Sequence, residues 1–147
     1  MAETITHRDF GELRWEQEYS WWFTQLRLPS GDWLDMIVDP GDGDRFAFLE
    51  PAANLFRWAL GTEQRILRDA IRAELLELYN DIWQQGDEPE LTADELMSRL
   101  EWTLLDISAS PIVPVTFSYD AGDLFGGHSV AVKVDGELRF RDIDLRG

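Results

Sequence analysis

The 147-residue chain contains no cysteine, two histidines (His7 and His128) and a single lysine, Lys133. Without cysteine there is no disulfide framework, which is typical of a cytoplasmic protein. Two histidines cannot build a Cys/His structural zinc site from one chain, although a hard-ion site made of carboxylates stays possible. No phosphate-binding loop or dinucleotide fingerprint occurs. We therefore expect no cofactor and no metal, and an enzyme is less favoured than a binding protein.

Long hydrophobic runs are also missing from this sequence. A membrane-spanning helix needs about 20 consecutive apolar residues, and no stretch approaches that length. Residues 1–9 have neither the basic start nor the apolar core of a secretory signal peptide. We expect a cytoplasmic protein that does not enter a membrane.

Basic residues are scarce relative to acidic ones: 13 Lys and Arg face 29 Asp and Glu, for a formal net charge of −16. The acids concentrate in the segments 31–50 and 87–106. Such a charge repels nucleic acid and anionic membranes, and it speeds encounter with a basic partner. Ordinary solubility charge is the alternative interpretation. The candidate docking surface, which we call the acidic surface, comprises Asp87, Glu88, Glu90, Asp94 and Glu95.

The densest group of unusual residues lies between two predicted strands near the end of the chain. The candidate ligand or interaction loop comprises Asp120, Asp123, Phe125, Gly126, Gly127 and His128. One interpretation is a small polar pocket in which the imidazole reaches both aspartates. The other is a structural loop, with the aspartates capping backbone N–H groups and the histidine hydrogen-bonded to one of them. No catalytic residue is assigned from this pattern.

Strand patterns rich in aromatic and β-branched residues occur at both ends of the chain, and helical patterns lie between them. The sequence predicts helices at 51–60 and 62–85, separated by Gly61, with Thr62 as the cap of the second. A capping box opens a further short helix at Thr92. We expect one α+β domain over residues 1–147. In it an antiparallel sheet from the N- and C-terminal strands packs against the central helical segment.

Two finer predictions concern side-chain direction. The apolar stripe of the 62–85 helix is predicted to consist of Leu67, Ile71, Leu75, Leu78 and Ile82. It is widened by four further residues: Ile66, Ala70, Tyr79 and Trp83. In the last hairpin, polar–apolar alternation predicts a three-residue loop with Gly136 in the left-handed conformation.

Three segments resemble a bacterial family known only as domain-of-unknown-function family 2262. These segments are residues 75–83, 91–100 and 122–130. The resemblance implies a bacterial cytosolic α+β domain, and it implies no particular activity.

Two functions from different classes remain in view. The first is an acidic protein-interaction module, immunity-like, which neutralises a basic protein partner. The second is a small enzyme or a ligand- or metal-binding domain that uses the loop with Asp120, Asp123 and His128, because a histidine–carboxylate group can perform acid–base chemistry. The oligomeric state is not predicted.

Overall fold

A computed structural model describes residues 3–147 of the chain. It contains one sheet of eight strands, arranged side by side in the order in which they occur along the sequence. The strands are β1 Thr4–His7, β2 Gly11–Glu16, β3 Trp21–Arg27, β4 Trp33–Asp39, β5 Glu101–Ser108, β6 Val115–Asp120, β7 Ser129–Val134 and β8 Phe140–Arg146.

All neighbouring strands are antiparallel except β4 and β5, which run parallel. A parallel pair needs a crossover connection, and the helical segment of the chain lies between these two strands. The N-terminal and C-terminal halves of the sheet therefore join at the centre, where Met36 pairs with Leu105. The predicted α+β fold, with strands at both ends and helix in the middle, is confirmed.

One face of the sheet is the core. Alternate residues of the central strands are fully buried on it, including Met36, Leu105, Phe117 and Val132. The helical segment, residues 49–83, crosses this face and contacts β5, β6, β7 and β8. Burial of apolar surface between the helix and the sheet supplies the main stabilisation, at about 25 cal/mol per Å².

The helical segment is one continuous helix, so the prediction of a break at Gly61 is wrong. We call it the long helix; it comprises an α-helical part Leu49–Ala70, a π-helical part Ile71–Leu75, the turn Leu76–Leu78 and a second π-helical part Tyr79–Trp83. Thr62 does not cap, because its hydroxyl donates to the Trp58 carbonyl one turn earlier at 2.6 Å. Burial of Ala59 and Ile66 on either side holds the glycine in helical conformation.

The predicted apolar stripe is correct at Leu67, Ile71 and Leu75 but wrong at Ile82. Ile82 is 69% exposed, whereas Tyr79 is 2% exposed and belongs to the core. In a π-helix each N–H reaches back five residues, so a turn holds more residues than in an α-helix. The core positions therefore recur every four residues. Tyr79 and the partly buried Trp83, predicted at the border of the stripe, take the inward positions in place of Ile82.

The β7–β8 hairpin also differs from its prediction. Gly136 is not left-handed; Leu138 adopts φ 62° instead, and Phe140 pairs with Val134. The Asp135 carboxylate accepts hydrogen bonds from the backbone N–H groups of Glu137 and Arg139, at 2.9 and 3.1 Å. These bonds organise a loop between Val134 and Phe140, which is longer than the three-residue loop predicted from polar–apolar alternation.

Candidate functional site

The loop between β6 and β7 is built largely from local backbone hydrogen bonds. The Asp120 carboxylate accepts from the N–H of Gly122 at 2.9 Å. The N–H groups of Leu124, Gly126 and His128 each donate to a carbonyl three residues earlier. Asp120 thus acts as a turn residue, which is the ordinary use of aspartate at a strand end.

Phe125 anchors this loop to the end of the long helix. Its side chain is fully buried and packs edge-on against Tyr79 and Trp83, with ring centroids 5.8 and 6.1 Å apart. Gly126, at φ +63°, lies directly on the Trp83 ring, and Gly127 at φ +85° carries the chain away from it. The two glycines allow the loop to follow the helix surface closely.

The His128 imidazole is half-buried against Trp83, with ring centroids 5.9 Å apart at 73°. Its Nδ1 atom is buried and has no hydrogen-bond partner in residues 3–147. Neither Asp120 nor Asp123 forms a hydrogen bond or ion pair with it in that range. Within the described residues, no group of three or more histidine and acidic side chains could hold a metal ion.

Asp123, by contrast, lines a groove together with one residue of the acidic surface. A groove of about 380 Å³ at the end of the long helix is lined by Asp123 and Leu124 of the loop and by Glu88 of the acidic surface. Tyr79 and Arg99 also line it. Two features that are 35 positions apart in the sequence therefore share one groove.

The chain that carries the acidic surface is fastened to the long helix by polar side chains. Asn80 donates to the Leu91 carbonyl at 3.1 Å and accepts from the Leu91 N–H at 3.0 Å. The Tyr79 hydroxyl donates to the Glu88 carboxylate at 3.3 Å, and the Gln84 amide donates to the Glu88 carbonyl. Burial raises the pKa of Tyr79, and the nearby Glu88 carboxylate raises it further.

All five residues of the acidic surface are exposed. Glu95 also has a structural role, because it completes the capping box of the short helix Ala93–Ser98. Its carboxylate accepts a hydrogen bond from the Thr92 N–H, and the Thr92 hydroxyl accepts one from the Glu95 N–H. The capping-box prediction is confirmed. Asp87, Glu90 and Asp94 have no ion-pair partner within residues 3–147.

A second concave region, missed from the sequence, lies between the long helix and the β3–β4 hairpin. We call it the helix–hairpin cleft; its volume is about 690 Å³. Glu63 of the helix lines it, with one carboxylate oxygen buried and without a hydrogen bond. Behind Glu63 lies Tyr119 of β6, 1% exposed, whose hydroxyl also lacks a hydrogen bond of standard geometry. Burial raises the pKa of Glu63, and the facing Tyr119 hydroxyl, as a hydrogen-bond donor to the carboxylate, opposes this rise.

A polar row crosses the face of the sheet opposite the long helix. Asp106, Thr116, Lys133 and Asp142 face one another on adjacent strands β5 to β8. The Lys133 ammonium lies 3.7 Å from the Asp142 carboxylate and 4.0 Å from that of Asp144. Strand alternation predicts which face of the sheet each residue occupies. That the four residues form one row follows only from the pairing of strands β5 to β8.

Asp106 is the most perturbed acid in this row. Burial raises its pKa to about 6, the Asp39 carboxylate contributes in the same direction, and Arg146 opposes them. A carboxyl of this kind changes charge near neutral pH rather than near pH 4.

Comparison with known proteins adds the family. The family described as "Uncharacterized protein conserved in bacteria (DUF2262)" matches residues 7–145. The chain belongs to this family. The family resemblance noted from the sequence is thereby confirmed. No curated protein and no solved structure matches the chain.

The DUF2262 match spans the long helix, the acidic surface and the loop from Asp120 to His128, so both sequence-predicted sites lie within the family's range. The helix–hairpin cleft lies within it too. Over residues 3–147, no helix has the length and apolar character needed to cross a bilayer.

Proposed function

We propose that this bacterial domain is an acidic protein-interaction module that binds a basic protein partner in the cytoplasm, in the manner of an immunity protein that neutralises a basic effector. The observation that carries the proposal is the fastening of the acidic surface to the long helix. Asn80 and Gln84 hold the backbone at Leu91 and at Glu88, and the Tyr79 hydroxyl donates to the Glu88 carboxylate, so the acidic side chains are displayed on an ordered segment.

Order in this segment matters because binding costs free energy when a flexible loop has to be immobilised. A segment that is already held in place avoids part of that cost. The groove that joins Glu88 to Asp123 extends the acidic surface onto the neighbouring loop.

The charge also supports the choice of partner. With a formal net charge of −16, the whole molecule attracts a basic protein before contact, and exposed charges act mainly on the association rate. At physiological salt the reach of each charge is about 8 Å, so the association rate should be steeply salt-dependent.

The test begins with capture of partners from the bacterial host and measurement of association and dissociation rates at several salt concentrations. The variant replaces Asp87, Glu88 and Glu90 by Asn or Gln. A matched control carries Glu12→Gln, Glu18→Gln and Asp69→Asn, which removes the same charge. These three exposed acids form no ion pair with other residues of 3–147.

We expect a basic partner whose association rate falls steeply with salt. The acidic-surface variant should associate more slowly than the control, with little change in dissociation. An acidic partner, a rate that does not depend on salt, or equal effects of variant and control would contradict the proposal.

A further inference from the structure

A groove opens between the second half of the long helix and the last strand of the sheet. We call it the edge groove; its volume is about 400 Å³. The helix lines it with Glu74, Glu77, Leu78, Asp81 and Ile82, and the only strand residue in its lining is Ile143 of β8. Because β8 is the last strand in the sheet order, the groove lies at the outer edge of the sheet.

The apolar side chains of the edge groove are not covered by the chain itself. Ile82 is 69% exposed, although isoleucine is among the residues most often found fully buried. Leu78 and Ile143 beside it are partly buried and pack against the core. Ile82 belongs to the second π-helical part of the long helix, and π-helical turns occur frequently at functional sites. The groove thus presents apolar surface that a partner can bury.

Three carboxylates line the groove together with this apolar surface. Glu74, Glu77 and Asp81 are exposed, and none of them forms a hydrogen bond or an ion pair with another residue of 3–147. Within that range, no lysine, arginine or histidine lines the groove. Its charge therefore complements a basic segment and disfavours an acidic one.

The backbone of β8 provides an independent observation. This strand pairs with β7 on one side, and over residues 3–147 no backbone–backbone hydrogen bond joins its other side to the rest of the chain. An edge strand of this kind presents a row of free N–H and C=O groups that can pair with another strand. β8 has seven residues, against four in β1 at the opposite edge, so β8 offers the longer template.

A second copy of the chain is a poor occupant of this edge. Antiparallel pairing of two β8 strands about Ile143 brings apolar side chains together, but it also places Asp142 of each copy opposite Asp144 of the other. Like charges directly opposite each other in a sheet are destabilising. Each copy also has a formal net charge of −16, so two copies repel each other. The edge and its charge favour a different, basic chain.

We propose that β8 and the edge groove bind an extended basic segment of a partner protein, which adds to the sheet as a ninth strand. The backbone of the segment pairs with the free edge of β8, as in other complexes in which a peptide extends a sheet. Every second side chain of the segment points to the helix side of the sheet. An apolar side chain there packs on Ile82 and Ile143, and lysine or arginine two positions away meets the helix carboxylates.

This inference goes beyond the proposed function. The edge groove shares no residue with the acidic surface, and its test uses synthetic peptides rather than a captured partner. Either proposal can therefore fail without the other.

The probe is a dye-labelled nine-residue peptide with blocked ends. Its third and seventh residues are lysine, its fifth is isoleucine and the others are threonine, so that the lysines and the isoleucine share one face of a strand. Fluorescence anisotropy measures its dissociation constant. A control peptide of the same composition has its isoleucine on the opposite face from the lysines and should bind more weakly.

Backbone N-methylation tests the added strand directly. One isomer of the probe is methylated at the fourth and sixth nitrogens, and the other at the fifth and seventh. Alternate residues of a strand direct their N–H groups to opposite edges, so only one isomer loses its hydrogen bonds to β8. We expect the two isomers to differ about tenfold or more in affinity. Binding by side-chain charge alone would make them equal.

Amide hydrogen exchange locates the bound probe. Binding should slow the exchange of amides on the free edge of β8 and leave those of β1, at the other edge of the sheet, unchanged. Equal protection of both edges would show unselective strand pairing and would overturn the proposal.

One variant removes the charge of the edge groove by the substitutions Glu74→Gln, Glu77→Gln and Asp81→Asn. It should weaken binding of the probe about tenfold, because an exposed ion pair contributes little by itself but three are lost together. The control variant of the acidic-surface experiment removes the same charge elsewhere and should have a much smaller effect.

A second variant, Ile82→Ser, removes the exposed apolar side chain and should weaken binding about tenfold, since burial of such a side chain is lost. Ile112→Ser is the matched control, because Ile112 is 62% exposed and lies outside the groove. Every substituted side chain in these variants is exposed, so the fold should be retained, and thermal unfolding checks this.

Failure of the probe to bind, equal affinities of the two N-methylated isomers, or equal effects of the groove variants and their controls would overturn the proposal. Protection of β8 in a concentration-dependent dimer without the probe would also overturn it, because a second copy would then occupy the edge. None of these results bears on the acidic surface.

Discussion

Gly126 and Trp83 approach so closely that a Cβ on the glycine would lie 2.9 Å from the Cζ3 atom of the indole ring. The glycine belongs to the loop after β6, and the tryptophan to the last π-helical turn of the long helix. The contact fixes the loop against the end of the helix, where Asp123 and Glu88 line one groove.

Replacing Gly126 by alanine should therefore destabilise the protein more than replacing Gly127. Both residues have positive φ, which costs about 1–2 kcal/mol for alanine. Gly127 has no atom within 4 Å of an added Cβ, whereas Gly126→Ala must also displace Trp83, for about a further 1–3 kcal/mol. Denaturant titration of both variants measures the difference. Equal losses would show that the ring moves aside freely.

The four-residue spacing of core positions in the π-helical part predicts unequal effects of two truncations. Leu75 is fully buried, and Leu75→Ala should lower the free energy of unfolding by about 2–5 kcal/mol. Ile82→Ala serves as the control, because an exposed side chain should change it by no more than about 0.5 kcal/mol. Urea unfolding checks both values. A large decrease in the free energy of unfolding for Ile82→Ala would mean that this part of the helix is α-helical and that Ile82 faces the core.

The raised pKa of Asp106 predicts that the stability of the protein depends on pH. Its pKa of about 6 in the folded protein, raised by burial and then by Asp39, lies above the ordinary aspartate value of 3.8. The folded state therefore binds the extra proton between these values, and stability falls as the pH rises from about 4 to about 6. The largest loss that this shift allows is about 3 kcal/mol.

The variant Asp106→Asn removes this titration. It should be more stable than the natural chain at pH 8, by up to about 3 kcal/mol, and no more stable at pH 3. Asp42→Asn, at an exposed position, is the control and should show no such pH-dependent gain. Thermal unfolding across the pH range decides. A gain that is the same at pH 3 and pH 8 would contradict the raised pKa.

Asn80 should control the order of the acidic surface. Asn80→Ala loses both hydrogen bonds to Leu91, each worth about 0.5–1.5 kcal/mol. Amide hydrogen exchange in residues 86–92 should accelerate, and exchange elsewhere in the sheet should change little. Asn54→Ala, on the exposed face of the same helix, is the control. Unchanged exchange in Asn80→Ala would show that the loop is held by other contacts.

Much of the fold is predictable because local interactions encode it. Runs rich in aromatic and β-branched residues indicated the strands at both ends of the chain, and the Thr92–Glu95 capping box marked the short helix. Both signals depend on neighbours within a few residues, so no tertiary information is needed to interpret them. The candidate loop was located for a similar reason, since glycine and aspartate record local backbone conformation.

Predictions from local sequence signals were wrong where tertiary packing opposed them. Gly61 indicates a helix end by itself, but burial of Ala59 and Ile66 against the sheet keeps the helix continuous. The wider turns after Ala70 place Ile82 in solvent, although the helical pattern predicts it in the core. Helical periodicity assumes a constant number of residues per turn, and tertiary contacts selected the departure from it.

The candidate sites also divide into features that the sequence specifies and features that depend on the tertiary structure. The sequence by itself determined the net charge, the glycine-rich loop, the strands and the apolar helix, because composition and short-range patterns specify these. Only the tertiary structure decided that Asp123 and Glu88 line one groove, that Glu63 faces Tyr119 and that Asp106 lies in a row with Lys133. Each of these pairs depends on which strands and helix turns become neighbours. That choice is made by burial of the shared core between the long helix and the sheet, which no single segment encodes.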